Sequence, residues 1–461
     1  MGEPAPAPGL VPPAPASPRV GLASRRAAWR AIRTVHERRA WSPPAVGAAL
    51  RATTLGDQDR AFAANLAYST LRWEGTLDWA LAQVVQRPLA DIEPAVLDVL
   101  RIGAWQLLYG NVPDRAAVDT AVEVARTEVG DRVTGFVNGV LRGLGRTAST
   151  LPWPSGDAGV GLRLAYPAWM VAEARRRFGA RAEDVLAAGN VSPGLTLRAT
   201  GDRDLLVAEL QAAGLDAHPG RRAPEAVRVA GGDPNTLPSV AAGRATPQDE
   251  ASMLVARVVV DAGGARDAPP APGWCVLDLC AAPGGKSTHL AQLGAAVVAA
   301  DLRPTRAGLV AAAATRLGLA DRIAVVVADA TAPPWRRECF DAVLVDAPCT
   351  GLGVVRRRPE LRWRRDADDP ARLGRLQLQL LESASTLVRP GGRLVYSVCT
   401  WPVAETSAVA NAFLAAHGDR FVPVDVAATL GADPVAGDPG VQLAPDVDEV
   451  DGMYVAAFER T

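Results

Sequence analysis

Lysine is nearly missing from this chain: one residue of 461, Lys286, against 48 arginines. A codon-biased genome leaves such a ratio, and a lysine that survives it marks a position where a compact ammonium is wanted and a planar guanidinium would not fit. Cysteine is also scarce. Cys275, Cys280, Cys339, Cys349 and Cys399 form an odd set with no C-x-x-C pair, and His36, His218, His289 and His417 are scattered without metal-ligand spacing. A disulfide framework and a zinc site are both excluded on this pattern, so no metal is expected. No apolar run approaches the ~20 residues of a membrane span. The opening MGEPAPAPGLVPPAPASPRV has neither a basic n-region nor an apolar h-region. The expectation is a reduced, cytoplasmic location without a membrane partner. Net charge is −1, which excludes a polycation but leaves local basic faces open, because phosphate attraction is set locally.

Apolar residues make up 49% of the chain, enough for sizeable cores, and the length implies two or three domains. Residues 1–18 are Pro/Ala-rich, offer little apolar surface against ordering entropy, and are expected to be disordered. From Ala23 a helical period begins, with Ala27, Ala31, Ile32 and Val35 on one face and Arg26, Arg30, Arg33, Arg38 and Arg39 around the rest. This basic amphipathic helix reads equally as a solvated bundle face or as a phosphate-contacting surface. DRAFAANLAYSTLRW, PAVLDVLRIGAWQLLYG, AAVDTAVEVAR and TGFVNGVLRGL continue the period with short loops, predicting an all-α domain over 19–150 with Trp73, Trp79, Trp105 and Tyr109 in its core. A Pro/Ser/Gly break opens a small α+β subdomain, 151–245. The last domain, 246–461, begins with the polar stretch TPQDEAS and a helix, followed by an Ala/Pro/Gly loop over 263–273.

VLDLCAAPGGKSTHL, Val276 to Leu290, organises that domain. Apolar residues ending in Leu279 read as a buried strand and Ser287 onward as a helix, so Gly284 and Gly285 lie in a strand-to-helix turn whose free N–H groups suit a nucleotide-type ligand. A phosphate-cradling loop requires G-x-x-x-x-G-K-[ST], and five residues before Gly285 stands Cys280, so the GKS match is half a motif. AAVVAADLR reads as the next strand and ends in Asp301, about 20 residues past the turn, where a carboxylate of a doubly wound sheet accepts from both ribose hydroxyls of an adenosyl ligand. IAVVVADAT brings Asp329 to the same carboxyl edge. Either acid alone could cap a turn; both, in order after buried strands, favour an adenosyl cofactor, S-adenosylmethionine.

Two further strands, FDAVLVDAPCTGLG and GGRLVYSVCT, deliver Asp346 with Cys349, and Cys399, to that edge. Free cysteine is commonly a small buried hydrophobe, which suits Cys275, Cys280 and Cys339. Two thiols and a carboxylate beside a methyl donor suit methylation at C5 of a pyrimidine. That carbon is a poor nucleophile until a thiolate adds to C6 and makes C5 enamine-like. Asp346 would hydrogen-bond the N3/N4 edge and stabilise the developing charge. Downstream, Arg356, Arg357, Arg358, Arg362, Arg364 and Arg365 interleave with Trp363, and read as an RNA backbone cradle with base stacking on Trp363.

These motifs carry a resemblance. LDLCAAPGGKSTHLA, DAPCTGLGVVRRRPELRW and GGRLVYSVCT resemble the cofactor, Pro-Cys and Thr-Cys motifs of RNA 5-methylcytosine methyltransferases, and QDEAS and DGMYVAAFER also match. The helical stretches resemble the NusB-like domain, an RNA-binding module. Together, from about Ala23 to Arg460, the chain resembles the RsmB/Sun family of bacterial small-subunit ribosomal RNA methyltransferases. The resemblance implies an all-α NusB-like domain, a connecting α+β subdomain and a doubly wound, Rossmann-like methyltransferase domain, acting as a monomer on ribosomal RNA. It implies Cys399 as nucleophile and Cys349 as the residue assisting product release; in DNA enzymes the Pro-Cys cysteine attacks instead. It also implies cofactor contacts from Cys280, Ala281, Ala282, Pro283, Gly284, Gly285 and Lys286, and from Asp301, Arg306, Asp329 and Asp346. The chain departs from the family in having Val398 where Thr is common, and in keeping only Glu405 of the usual paired glutamates. Transfer RNA as substrate, or a non-catalytic NusB-like assembly factor, are the alternatives.

Overall fold

The computed structural model describes residues 18–261 and 273–461. The chain divides into two compact units, the first reaching to Ser192 and taking in Val355–Arg365, the second formed by Pro193–Val354 and Asp366–Thr461. The disordered tail expected over 1–18 and the loop expected over 263–273 lie outside the described residues, Pro18 and Gly273 excepted.

The first unit is helical, with α1 (Pro18–Arg38), α2 (Ser42–Arg51), α3 (Asp57–Arg72), α4 (Glu74–Ala82), α5 (Pro94–Leu108), α6 (Asp114–Glu128), α7 (Thr134–Thr147), α8 (Gly156–Leu164), α9 (Ala168–Phe178) and α10 (Ala182–Ala188). Pro94 opens α5, where its missing N–H costs nothing. Asp57 and Asp59 face the positive end of the α3 dipole. Ile32, Val35, Leu66, Leu71, Leu77, Leu81, Leu100 and Leu141 fill the core, with Trp73 and Trp105 buried and Trp79 and Tyr109 packed against it. On α1, Arg26 and Arg30 pair with Glu128, and Arg33 pairs with Asp98 and Glu37. Those three arginines are therefore engaged within the bundle. Past the Pro/Ser/Gly break, α8 to α10 stay with this unit: Thr76 Oγ1 donates to Leu162 O at 2.6 Å and Asn190 Nδ2 to Leu164 O at 2.7 Å.

A charged cluster is buried among α1, α4 and α5. Asp98 accepts from Arg33 at 2.8 Å, His36 at 2.9 Å and Arg101 at 3.1 Å, while Arg101 also reaches Asp78 at 2.7 Å and His36 faces Glu74 at 3.2 Å. Burial opposes charge on His36, but hydrogen bonds and charges from Asp98 and Glu74 outweigh it and raise the imidazole to about 9. This folded value lies above the ordinary 6.5, so the stabilisation is full below pH 6.5 and is lost as pH rises through 9. We expect it to reach about 3 kcal/mol. Denaturation of the wild-type chain and of His36→Phe between about pH 6 and pH 10 checks it; parallel stability curves would refute it.

The second unit holds two sheets. β1 (Leu195–Ala199), α11 (Arg203–Ala212), β2 (Ala217–Pro219), β3 (Ala226–Val229), α12 (Pro238–Ala241) and β4 (Ala245–Pro247) form a small antiparallel sheet of order β2-β3-β1-β4. Asp202 caps α11, accepting from Asp204 N at 2.8 Å and Leu205 N at 3.1 Å. Leu197, Leu206, Leu210 and Val227 form its core. After α13 (Glu250–Val260), the large sheet is laid down by β5 (Cys275–Asp278), α14 (Gly285–Gln292), β6 (Ala296–Asp301), α15 (Pro304–Arg316), β7 (Ile323–Val327) and β8 (Phe340–Asp346). The short α16 (Leu361–Arg364) belongs to the first unit. The sheet resumes with α17 (Asp369–Ser385), β9 (Val388–Val398), α18 (Ser407–His417), β10 (Phe421–Val424), α19 (Ala427–Leu430), β11 (Gly440–Leu443) and β12 (Met453–Arg460). Its order is β7-β6-β5-β8-β9-β12-β10, with β11 on β12; β5 to β9 are parallel and β12 antiparallel to β9. β5 and β8 are neighbours although successive strands run outward from β5 the other way. At such a switch point the carboxyl ends open a crevice for ligands.

Candidate active site

The glycine loop follows β5 into α14. Gly284 has φ of 104°, and a Cβ there would meet Val310 Cα at 3.1 Å. Both the left-handed conformation and the close approach require glycine. The helix begins at Gly285 rather than at the expected Ser287, so its unsatisfied first-turn N–H groups belong to the loop itself. At the end of β6, Asp301 accepts from Arg303 N at 3.1 Å, Arg306 Nε at 3.1 Å and Ala282 N at 3.4 Å, while Arg306 Nη2 donates to Ala282 O at 2.9 Å. Asp301 and Arg306 thus clasp the backbone N–H and carbonyl of one loop residue, Ala282. Burial pushes the Cys280 thiol far up, which makes it inert. Asp329 is exposed past β7 and accepts from Thr331 N at 2.8 Å and Thr331 Oγ1 at 2.7 Å. The backbone bond chiefly holds its carboxyl below the ordinary value. Its contacts here are those of a turn cap.

The single lysine points across the crevice: Lys286 Nζ donates to Asp346 Oδ2 at 2.7 Å, and Ser397 Oγ donates to Asp346 Oδ1 at 2.8 Å. Burial disfavours the ammonium, but Asp346 outweighs it and raises the Lys286 pKa. Below the loop lies Asp278, which the sequence pattern did not single out. It is fully buried, accepts from Ser287 Oγ at 2.6 Å, and is pushed by burial up to about 7.

Cys349 and Cys399 meet with their Sγ atoms 3.4 Å apart. The hydrogen bond to Cys399, with burial, holds the Cys349 thiol well above its ordinary value. A buried polar network ties the two cysteine loops together. Thr350 and Thr400 share a hydroxyl bond of 2.7 Å, and Thr350 N donates to Glu405 Oε2 at 2.8 Å. Gln377 Nε2 donates to Pro348 O at 2.9 Å and Glu405 Oε2 at 3.1 Å, while Tyr396 OH donates to Glu405 O at 2.6 Å. Glu405, the one glutamate kept in that stretch, is the acceptor the network converges on. Gly353 N donates to Cys399 O at 3.0 Å, and a Cβ on Gly353 would collide with Gly452 O at 1.9 Å.

The arginine-rich stretch requires a correction. Arg362 is fully buried in the helical unit, donating to Ala165 O at 3.1 Å, Asn190 Oδ1 at 2.6 Å, Tyr166 OH at 3.0 Å and Gly189 O at 2.8 Å. Trp363 packs on the same core and donates to Leu71 O at 2.8 Å. Arg364 reaches Val35 O at 2.9 Å and Ala40 O at 2.8 Å. Arg356 is buried, and its carbonyl accepts from Arg72 Nη2 at 3.1 Å. Arg357 is half-buried, and Arg358 is exposed with its guanidinium 5.0 Å from the Trp41 ring centroid. Fully buried Arg362 has no face to offer RNA, and half-buried Trp363 donates to a backbone carbonyl of the bundle, the need that any buried helix end creates.

Two residues ahead of the large sheet were also unforeseen. Gln248, in TPQDEAS, lies where a Cβ on Gly285 would be 3.7 Å from its amide carbon, and Arg198 on β1 donates to Thr288 Oγ1 of α14 at 2.9 Å. The polarity of TPQDEAS and the family likeness of QDEAS were the signals for the first; an arginine in LTLRAT gave none for the second. Among the described residues no group of three or more His, Cys, Asp or Glu could hold a metal ion, and no helix is long and apolar enough to cross a membrane.

A helical module followed by a small antiparallel sheet and a Rossmann-like sheet, with a glycine loop and strand-end acids at its switch point, defines a multidomain methyltransferase. Family models match in the same order: the NusB family over residues 22–146, the ferredoxin-like domain of RsmF/B-like methyltransferases over 166–234, and the 16S rRNA methyltransferase RsmB/F over 268–459. The putative methyltransferase Rv1407 of Mycobacterium tuberculosis is 39% identical over 95% of this chain and 96% of its own length. The probable ribosomal RNA small subunit methyltransferase B of Bacillus subtilis is 33% identical over 95% and 98%. The crystal structure of PH0851 shares the fold, with TM-score 0.84 and 24% identity over 97% of this chain and all of that one. The chain belongs to the RsmB/F family of 16S ribosomal RNA methyltransferases.

Proposed function

We propose that this protein transfers a methyl group from S-adenosylmethionine to C5 of a cytosine in small-subunit ribosomal RNA, through a covalent bond between Cys399 and C6 of the base. The observation that carries the reading is the pair of thiols 3.4 Å apart at the carboxyl edge of the parallel sheet, beside an Asp346 already fixed by Lys286 and Ser397.

The loop from Cys280 to Lys286 fits an adenosyl amino acid. Gly284 lets the loop turn back tightly against α15, α14 offers first-turn N–H groups, and Asp301 with Arg306 and Asp346 stand around the loop. Bound there, S-adenosylmethionine supplies an electrophilic methyl group. The Cys399 thiolate adds to C6 and C5 becomes the nucleophile; Cys349, a neutral thiol, donates a hydrogen bond to that thiolate beforehand. Asp346, held in place by Lys286 and Ser397, accepts from the amino group at N4 of cytosine, a donor that uracil lacks, and so selects the base. Once Cys399 is bonded to carbon, the neighbour that held the Cys349 pKa up is gone. Cys349 can then release its proton to water, and the resulting thiolate takes the C5 proton as the bond between Cys399 sulfur and C6 breaks, returning the pyrimidine ring, a Cys399 thiolate and a neutral Cys349 thiol.

The NusB match at 22–146 favours ribosomal over transfer RNA, and the intact thiol pair argues against a purely assembling role. A ribosomal substrate places the enzyme in the cytoplasm. The test is incubation with tritiated-methyl S-adenosylmethionine and undermethylated small-subunit ribosomal RNA or transfer RNA, followed by nucleoside analysis. Label in 5-methylcytosine from ribosomal RNA is expected; label from transfer RNA alone would overturn the substrate, and label in another nucleoside the chemistry.

A further inference from the structure

The small antiparallel sheet is fastened to the helices around the glycine loop at several points. Gln292 Nε2 of α14 donates to Ala199 O at 2.9 Å. From α15, Arg316 donates to Val240 O at 3.0 Å, Ala245 O at 3.2 Å and Thr246 Oγ1 at 2.9 Å. Arg257 of α13 pairs with Glu225 at 2.8 Å. These bonds hold the sheet in place. Arg198 differs, because the chain it starts ends at the loop.

Arg198 lies on the central strand β1 and is 0% exposed, one of the largest fully buried side chains. Its Nη2 donates to Thr288 Oγ1 at 2.9 Å, and that hydroxyl donates in turn to Gly284 O at 2.7 Å, with Gly285 O a second acceptor at 3.1 Å. Arg198 Nε and Nη1 have no acceptor among the described residues. A buried guanidinium with donors unmatched is costly, and burial outweighs the attraction of Glu225 and lowers the Arg198 pKa, so a stabilising role alone is a weak reason for arginine there. The bond it does make fixes the direction of the Thr288 hydroxyl, and thereby the carbonyl of the loop's left-handed glycine. Charged donors also polarise a hydroxyl and strengthen the bond it donates in turn.

We propose that Arg198 is a positioning residue for the cofactor loop, acting through Thr288 on the Gly284 carbonyl. This rests on the reading of that loop as the S-adenosylmethionine site. The small sheet is then part of the cofactor site, holding the loop in its binding-competent shape before the cofactor arrives. Loss of the restraint weakens cofactor binding, because part of the binding free energy then goes to ordering the loop. It leaves the thiol chemistry untouched once cofactor is saturating.

The test measures S-adenosylmethionine affinity by calorimetry, and KM and kcat on ribosomal RNA, for the full-length wild type, Arg198→Met, Thr288→Val and the double variant. Either single change is expected to raise the Kd and KM for S-adenosylmethionine about tenfold with kcat within about twofold. The double variant should be no worse than the singles, since both break one chain. Thr288→Ser, which keeps the hydroxyl, is expected to bind like wild type, and it keeps the test open if Arg198→Met folds poorly. An unchanged Kd in Thr288→Val, a Kd in Thr288→Ser as weak as in Thr288→Val, or a fall in kcat at unchanged KM overturns the positioning role. A wild-type protein that binds no S-adenosylmethionine overturns the functional reading itself, a result the variants cannot mimic.

Discussion

Cys399→Ala is expected to lower methyl transfer by about 10,000-fold or more, whereas Cys349→Ala leaves attack on the base intact and accumulates a protein–RNA adduct that survives denaturing electrophoresis. Removing the atom that forms the covalent bond removes the route by which C5 becomes nucleophilic, a loss on the scale found when an essential nucleophile is deleted. Removing its neighbour takes away only the group placed to accept the C5 proton, so methylated base stays bonded to the enzyme. The 3.4 Å separation of the two sulfurs makes either one geometrically able to attack. The asymmetry lies in their surroundings: the Cys399 backbone is gripped by Gly353 N, while the Cys349 thiol is held neutral by its hydrogen bond to Cys399 and by burial. Running both variants with labelled RNA on denaturing gels separates the roles. An adduct in Cys399→Ala and none in Cys349→Ala would exchange them.

What could be read from the residues was whatever leaves a periodic or strand-end trace. The buried strands before Asp301 and Asp346 are continuous apolar runs because parallel strands are covered on both faces, and their ends locate the crevice without any knowledge of packing. The unusual lone lysine was also legible, and it is spent on Asp346 as a compact ammonium at 2.7 Å. Asp329 carried the same strand-end signature as Asp301, and both acids accept from nearby backbone N–H groups; local sequence cannot tell a carboxylate that caps its turn from one that also meets a ligand. Arg198 and Asp278 were not singled out, and Gln248 only as part of its polar stretch, because their meaning depends on which element packs over them. The arginine run misled for a related reason. A charge run in a loop is identical in sequence whether the loop meets solvent or enters another bundle, and here residues 355–365 belong to the helical unit.

Arg362 turns that last point into a measurement. Arg362→Met is expected to destabilise the helical unit by about 3–5 kcal/mol, the range for breaking a buried charged group away from its partners. The four acceptors it serves, Ala165 O, Asn190 Oδ1, Tyr166 OH and Gly189 O, would be left in a dry interior. Each unmatched acceptor costs about 1–3 kcal/mol before relaxation. The stacking of the guanidinium on the Tyr166 ring, 3.9 Å from its centroid, is lost as well. Exposed Arg358 has no such acceptors among the described residues and lies 5.0 Å from the Trp41 ring centroid, and Arg358→Ala should shift stability by no more than about 0.5 kcal/mol. Denaturant unfolding followed by tryptophan fluorescence reads both. A phosphate contact behaves in the opposite way: its loss lowers RNA affinity, reduces the salt dependence by about one counterion and leaves unfolding unchanged. If Arg362→Met did that, the guanidinium would have to leave its carbonyls to meet RNA. Since a buried arginine is unlike a surface one in what it costs to move, the two variants together decide which arginines of the run fold the protein and which remain free for a nucleic acid.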